Sequence, residues 1–190
     1  MNLERDRERG LRPGVGMLYT WCDRVLVARR ASWLSSIVMK NGQLVVEGQP
    51  KWMHSWDIPQ GGIEIGEGIQ DAILRETEEE LGPDWRIGRT KHVWRGESQF
   101  PVHKDGRDYI GKSYYYTAAE VVGFPEGFDD WVFPTCDEGP YPYPAREFPG
   151  GVIFLSHDEA VRAIRSTQRG WKADMMVRVV HDLQSQGFIH

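Results

Sequence analysis

The chain has only two cysteines, Cys22 and Cys136, with no second thiol at ligand spacing from either. That excludes a disulfide framework and leaves a thiolate zinc site without support. No apolar run approaches the roughly 18 residues a membrane helix needs. The opening ten residues, MNLERDRERG, are charged rather than apolar, unlike a secretion signal. The expectation is a cytoplasmic protein with no membrane partner. An excess of positive charge is missing too: 23 Lys and Arg stand against 28 Asp and Glu, a formal charge of −5. Non-specific attraction to nucleic acid is therefore weak, and no stable nucleic-acid complex is expected. A polyanionic substrate has to be held by a local group of cations or by metal ions. What remains is ordinary globular usage, 40% hydrophobic and 27% charged over 190 residues, which suits one domain with a buried core.

Residues 1–11 carry no hydrophobic period and read as a flexible tail ahead of a single domain over 12–190. Strand-like runs at Gly16–Trp21 and Arg24–Ala28 flank a turn at Cys22-Asp23, and Ile37–Val46 is split by Asn41-Gly42, a strong hairpin signal. Ile69–Leu81 reads as a helix closed by Gly82-Pro83. Thr90–Trp94 and Tyr109–Val122 look extended, while Asp158–Ile164 and Lys172–Gln184 have helical spacing. The segment 124–149 gathers Pro125, Pro134, Pro140, Pro142, Pro144 and Pro149 among aromatics. It excludes a helix or a central strand and reads as an insertion, either an ordered surface loop or a wall of a binding site.

The informative stretch is GGIEIGEGIQDAILRETEEELGP, Gly61 to Pro83. At 100° per residue, Glu76, Glu79 and Glu80 share one helix face, bordering the apolar arc of Ile73, Thr77 and Leu81. Like charges at these spacings repel, and partial burial makes the repulsion worse unless something positive stands among them. A hard divalent cation fits that need. Oxygen ligands without a nearby His or Cys favour Mg²⁺ or Mn²⁺ over zinc.

The spacing resembles the Nudix box of the Nudix hydrolases: Gly61, five residues to Glu67, seven more to Arg75-Glu76, then Glu79-Glu80 and Gly82. Thr77 and Pro83 depart from two aliphatic positions of that pattern, which touches packing and the helix exit rather than the charged positions. The resemblance implies an α/β fold, an α/β/α sandwich with a mixed sheet and the box as loop, helix and loop. It implies that Glu76, Glu79 and Glu80 are metal ligands, that Gly61 brings a backbone carbonyl to the metal, and that Arg75 braces the loop by an ion pair. Glu67 is the expected partner of Arg75.

Arg12-Pro13, Val15-Gly16, Ala28-Arg29-Arg30 and His54-Ser55-Trp56 leading into Pro59-Gln60-Gly61-Gly62 look like the branch of RNA pyrophosphohydrolases and dinucleoside polyphosphate hydrolases. Ser32–Lys51 is longer than that branch's usual connection. The branch supplies a fourth acid after the box; Arg146-Glu147-Phe148 resembles that region, so Glu147 is preferred, with Glu126 and Glu120 as competitors. Hydrolysis of a phosphoanhydride needs charge neutralised on the phosphates, a water in line and a base. Glu79 belongs with the catalytic group, and either Glu80 or Glu147 is the base. Arg12, Arg29, Lys51 and Lys112, with Arg30, are the candidate phosphate contacts. Trp52, Trp56, Phe100 and Tyr114 to Tyr116 offer aromatic faces, Tyr115 on the side of the strand opposite to its neighbours. His54 and His157 have no catalytic assignment. The expected substrate is a nucleoside polyphosphate, above all the 5′-triphosphate or diphosphate end of RNA; a dinucleoside polyphosphate such as diadenosine tetraphosphate is the alternative, and a nucleotide-sensing module without turnover the second.

Overall fold

The computed structural model describes residues 2–40, 43–98, 101–104, 106–126, 143–145, 148–167 and 171–189. The elements are α1 (Leu3–Glu8), β1 (Leu11–Trp21), β2 (Arg24–Lys40), β3 (Gln43–Asp57), β4 (Gln60–Gly62), α2 (Ile69–Glu80), β5 (Arg86–Ser98), β6 (Val102–Lys104), β7 (Arg107–Tyr109), β8 (Gly111–Gly123), β9 (Tyr143–Ala145), β10 (Phe148–Leu155), α3 (His157–Thr167) and α4 (Trp171–Ser185). No helix is long and apolar enough to cross a membrane among the described residues.

β1 organises the sheet because nearly all of it is buried, as a strand covered on both faces must be. On one edge it pairs in parallel with β8, from Leu11↔Gly111 to Thr20↔Glu120. Its other edge is shared: β4 pairs antiparallel with the first half (Val15↔Gly61) and β2 with the last residues (Thr20↔Val25). The strand order β5-β8-β1-β2-β10-β9 is therefore mixed. Alternation along β1 sends Val15, Met17 and Tyr19 to a core shared with Ala72 and Ile73 of α2, while Leu18 joins Ile164 of α3 and Met176, Val179, Val180 and Leu183 of α4. Helices thus cover both faces, the α/β/α sandwich that the resemblance implies.

The turn at Cys22-Asp23 has φ of 46° and 61°, the paired positive values of a tight hairpin matched to strand twist. The expected hairpin across Asn41-Gly42 is bracketed by the pair Lys40↔Gln43, with both residues of the turn outside the described set. It is one end of a much longer ribbon, since β2 and β3 run unbroken through Ser32–Ser36 apart from a register shift between Leu34 and Ser36. β5 likewise exceeds the expected Thr90–Trp94. Of the Pro-rich insertion, 127–142 and 146–147 lie outside the described residues; among the described residues β9 pairs with β10, at the sheet edge where proline is tolerated. Phe124, at its start, packs edge-on against Trp21 and Trp85, with ring centroids 4.9 and 5.4 Å apart.

The flexible tail expected over 1–11 is corrected by the structure. Residues Leu3–Glu8 form α1, Asn2 caps it by accepting from the Arg5 amide at 3.0 Å, and β1 begins at Leu11. Long-range charge pairing overrides the absence of local hydrophobic period. Asp6 is 3% exposed and receives hydrogen bonds from Arg95 and the Tyr115 hydroxyl, while Arg9 forms a two-pronged pair with Glu97 at 2.7 and 2.9 Å. Burial opposes ionisation of Asp6, but the hydrogen bonds from Tyr115, Ser113 and Arg95 outweigh it and hold its carboxyl below the ordinary range. Hydrogen bonds from Arg9 do the same for Glu97, against a smaller burial penalty.

Both pKa values are lower folded than unfolded, so this stability is present above the ordinary values of 3.8 and 4.5 and is lost as pH falls through the lowered folded values. Asp6→Asn is expected to cost about 2 kcal/mol at neutral pH. In thermal melts followed by circular dichroism, the gap between wild type and variant should narrow below about pH 4. Equal melting temperatures at pH 7 would show α1 to be a passenger.

Candidate active site

The site is built where β4 hands the chain to α2. Gly66, at φ +83°, turns the loop, and Asp71 accepts from the Gly68 amide at 3.3 Å to start the helix. At the other end Gly82, at φ +116°, donates to the Thr77 carbonyl at 3.2 Å, the left-handed residue that ends a helix. Thr77 does not leave a hole in place of an aliphatic residue. Its hydroxyl is 2.7 Å from the Tyr19 hydroxyl and donates to the Ile73 carbonyl at 2.6 Å, so both buried polar groups are satisfied.

Arg75 is the hub. Its Nε and Nη2 donate to the two oxygens of Glu67 at 2.8 and 2.9 Å, Nη2 also to the Gly62 carbonyl at 2.7 Å, and Nη1 to Glu76 at 2.9 Å and Glu79 at 3.3 Å. Glu76 returns the connection by accepting from the Gly62 amide at 2.9 Å. Helix and loop are thereby locked in register by a planar five-donor group, a task Lys could not perform. The expected Glu67–Arg75 pair is present. Arg75 hydrogen bonding pulls the Glu67 carboxyl down, whereas burial pushes Glu76 up despite the same guanidinium.

The three carboxylates of the acidic face differ in setting. Glu80 is 2% exposed, Glu76 is buried, and Glu79 stands half exposed at the cleft. Glu76 and Glu80 are one helical turn apart and both act on the Tyr19 phenol, which burial chiefly, and their charges in addition, keep protonated. Arg75 is shared by Glu67, Glu76 and Glu79, and the hard oxygens of the acidic face are of the type that suits a divalent cation. Among the described residues no three acids, histidines or cysteines already stand together as a set that could hold a metal ion. Gly62 and Arg75 both donate to Oε1 of Glu76, so these two bonds of that carboxylate fall on one oxygen.

Gly61 is required by close approach: a Cβ there would lie 1.9 Å from Cδ of Glu76. Its carbonyl oxygen faces β1, 2.9 Å from where a Cβ of Gly14 would stand. Gly62 points the other way, toward Nη2 of Arg12. From behind, the entering chain is held by Lys172 to Asp57 at 2.5 Å and by Gln60 to the Tyr116 hydroxyl at 2.9 Å.

The expected substrate contacts are not gathered in one place. Arg12 and Lys112 are register neighbours on β1 and β8, with the Lys112 ammonium 6.0 Å from the Tyr114 ring. Arg29 lies over Trp56 at 5.9 Å, across the β2–β3 ribbon. Lys51 is opposite Leu34, five rungs further out and so about 17 Å along the ribbon. Tyr115 and Tyr116 are core residues on opposite faces, as alternation predicts. Glu147 lies outside the described residues, as does Phe100. Of Glu147's competitors, Glu126 is exposed, and Glu120 pairs with Arg89 at 3.3 Å on the rung of Thr20, far along β1 from Val15 and Gly61. His157 is buried against His181, with ring nitrogens 2.7 Å apart, away from the acidic face. The reading from sequence missed a cleft of about 570 Å³ beside Glu79, into which Arg7, Lys104 and Arg107 project with Arg12 and Arg75. Its one sequence signal is Lys104-Asp105-Gly106-Arg107, a turn dipeptide flanked by cations.

A model of the NUDIX domain matches residues 10–138. An RNA pyrophosphohydrolase of a Nitratiruptor species is 41% identical over 51 residues, 27% of this chain and 33% of that protein. One from Cronobacter sakazakii is 43% identical over 56 residues, 25% of this chain and 32% of that protein. The chain spans about a third of the length of these curated relatives. Among solved structures, the E. coli ORF135 protein aligns with a TM-score of 0.50 at 17% identity over 93% of each chain. A NUDIX hydrolase from Nitrosomonas europaea aligns at 0.50 and 18%, over 93% of this chain and 90% of that one. An ADP compounds hydrolase aligns at 0.53 and 12%, over 94% and 76%. At such identities the structures speak for the fold.

The Gly61 contact predicts an asymmetry between neighbouring glycines. Gly61→Ala is expected to lose about 2 kcal/mol, a drop of about 6 °C in Tm, because its Cβ meets the Glu76 carboxyl where that group is pinned. Gly62→Ala should lose less than about 1 kcal/mol, since the flexible end of Arg12 can move aside. Equal Tm values for the two variants would contradict this packing.

Proposed function

The chain belongs to the Nudix family of hydrolases, and on that premise we propose that it is a metal-dependent pyrophosphohydrolase acting on the 5′-triphosphate or diphosphate end of RNA. The observation that carries the reading is the acidic face of α2, held by Arg75 to the Gly61-Gly62 turn and opening on a cation-lined cleft. The names of the partial relatives support the RNA end as substrate. The family's general use of divalent metals supports Mg²⁺ or Mn²⁺ as cofactor.

In this reading Glu76, Glu79 and Glu80 hold the metal, with the Gly61 carbonyl and Glu147 as the further ligands the family pattern supplies. A divalent ion held by these residues would offset charge on the phosphoanhydride oxygens and lower the pKa of a bound water. Arg75 stays committed to Glu67 and Gly62 and so fixes the carboxylates rather than the substrate. Glu79, half exposed, is the carboxylate a substrate meets first. Proton removal from the water falls to Glu80 or Glu147. Arg12, beside Gly62, and Lys112, its neighbour on β8, receive phosphate charge next to the acidic face. Arg29, on the rung of Trp56, and Lys51, five rungs further along the ribbon, are the further cations assigned to the phosphate chain in this reading.

The test is phosphate and pyrophosphate release with Mg²⁺, comparing 5′-triphosphate RNA with diadenosine tetraphosphate, and Glu79→Gln as control. The expected result is preference for RNA and a loss of kcat of roughly 100-fold or more in the variant. Preference for the dinucleotide would overturn the substrate and keep the chemistry. Binding of either without turnover would replace the enzyme by a nucleotide sensor, and unchanged turnover in Glu79→Gln would remove the acidic face from catalysis.

A further inference from the structure

A second cavity, about 660 Å³ in volume, opens at the far end of β1, where the start of β5 and the end of β8 meet the turn after α4. That volume lies within the range of small-molecule sites. Thr20, which lines it, is five residues along β1 from Val15, the rung of Gly61, a separation of about 17 Å. Alternation puts Thr20 on the same face of β1 as Leu18, the face covered by α3 and α4 and opposite to α2. The cavity is therefore separate from the acidic face and from the cleft beside Glu79.

Three kinds of contact meet in its lining. Phe188, whose amide donates to the Leu183 carbonyl at 3.2 Å, supplies an aromatic ring. Lys91 lies 5.2 Å from the centre of that ring and, among the described residues, has no carboxylate partner. Arg89 meets Glu120 at 3.3 Å through side chains 93% and 45% exposed, a pair weak enough to yield to a better anion. Thr20 is only 7% exposed, yet among the described residues its hydroxyl forms no hydrogen bond. Buried hydroxyls are ordinarily paired, and the cavity is the side from which a partner can enter. Glu120, on the rung of Thr20, adds an acceptor next to that hydroxyl.

A planar aromatic ring carrying a phosphate answers all three: the ring against Phe188, its polar edge on Thr20 and Glu120, and the phosphate between Lys91 and Arg89. Bare phosphate would leave the ring of Phe188 unused. The charged lining residues are Arg89 and Lys91 against Asp23 and Glu120, so there is no surplus of positive charge for a second or third phosphate. We propose that this cavity is a second nucleotide site, which takes a nucleoside 5′-monophosphate. It does not rest on the hydrolase reading, since none of its residues belongs to the acidic face.

The test is calorimetry on the full chain without metal, with AMP as the probe; AMP has no phosphoanhydride to cleave. Ribose 5-phosphate serves as the probe lacking the ring, and a short 5′-monophosphorylated RNA as the other source of the same unit. Lys91→Ala alters an exposed side chain and Thr20→Val keeps the shape of a buried one, so both variants are expected to fold. Wild type should bind AMP, with ribose 5-phosphate about tenfold weaker, Lys91→Ala weakening AMP about tenfold, Thr20→Val several-fold, and Arg12→Ala leaving it unchanged. Tighter binding of the RNA, lost in the same two variants, would sustain the site with an RNA end as its ligand. No binding of AMP by wild type, or binding weakened by Arg12→Ala and untouched by Lys91→Ala and Thr20→Val, would overturn it. AMP binding that follows Lys91 and Thr20 in a protein that cleaves no nucleotide would uphold this site and defeat the hydrolase reading alone.

Discussion

Everything at the site depends on one guanidinium. Arg75 makes contact with Glu67 before the helix, Glu76 and Glu79 within it, and the Gly62 carbonyl on the strand before both. Without that fork, carboxylates at helical spacing would repel each other in a half-buried setting, and nothing would fix the Gly61-Gly62 turn relative to α2. Glu67, Glu76 and Glu79 share that single guanidinium, and the proposed divalent ion would add the positive charge that the acidic face invites.

The sheet supplies the frame that this clamp needs. β1 is held by β8 along one edge and by β4 and β2 along the other, so the Gly61 turn is fixed to a strand buried along nearly all its length. Alternation then gives the two glycines opposite partners, Glu76 for Gly61 and Arg12 for Gly62. The acidic side and the cationic side of the cleft are consequences of a period of two at a single turn. α1 closes the arrangement from the N-terminal end, with Asp6 anchored on Arg95 and Tyr115 and Arg7 on the loop before α2.

Local periodicity made the helix α2, its glycine exit, the hairpin at Cys22-Asp23 and the two C-terminal helices legible in the sequence, because each is determined by neighbours a few residues apart. The Nudix spacing made the Glu67–Arg75 pair legible for the same reason. What stayed hidden was long-range. Asp6 meets Arg95 and Tyr115 across 89 and 109 residues, so a stretch that looks like a tail by composition is docked by charge. The cleft draws Arg7, Arg12, Lys104 and Arg107 from three separate segments, and no sequence window contains them. The five rungs that separate Arg29 from Lys51 along the β2–β3 ribbon were hidden too, because the pairing of Leu34 with Lys51 joins residues 17 positions apart.

The central claim is that the acidic face of α2 is a metal site organised by Arg75. Electron paramagnetic resonance of Mn²⁺ titrated into the protein reads it directly, since binding removes the six-line signal of the free ion. The account predicts loss of free signal with wild type and its return with Glu76→Gln or Glu80→Gln in folded protein. A free-ion signal unchanged by wild type, or equally depleted by the variants, would contradict it.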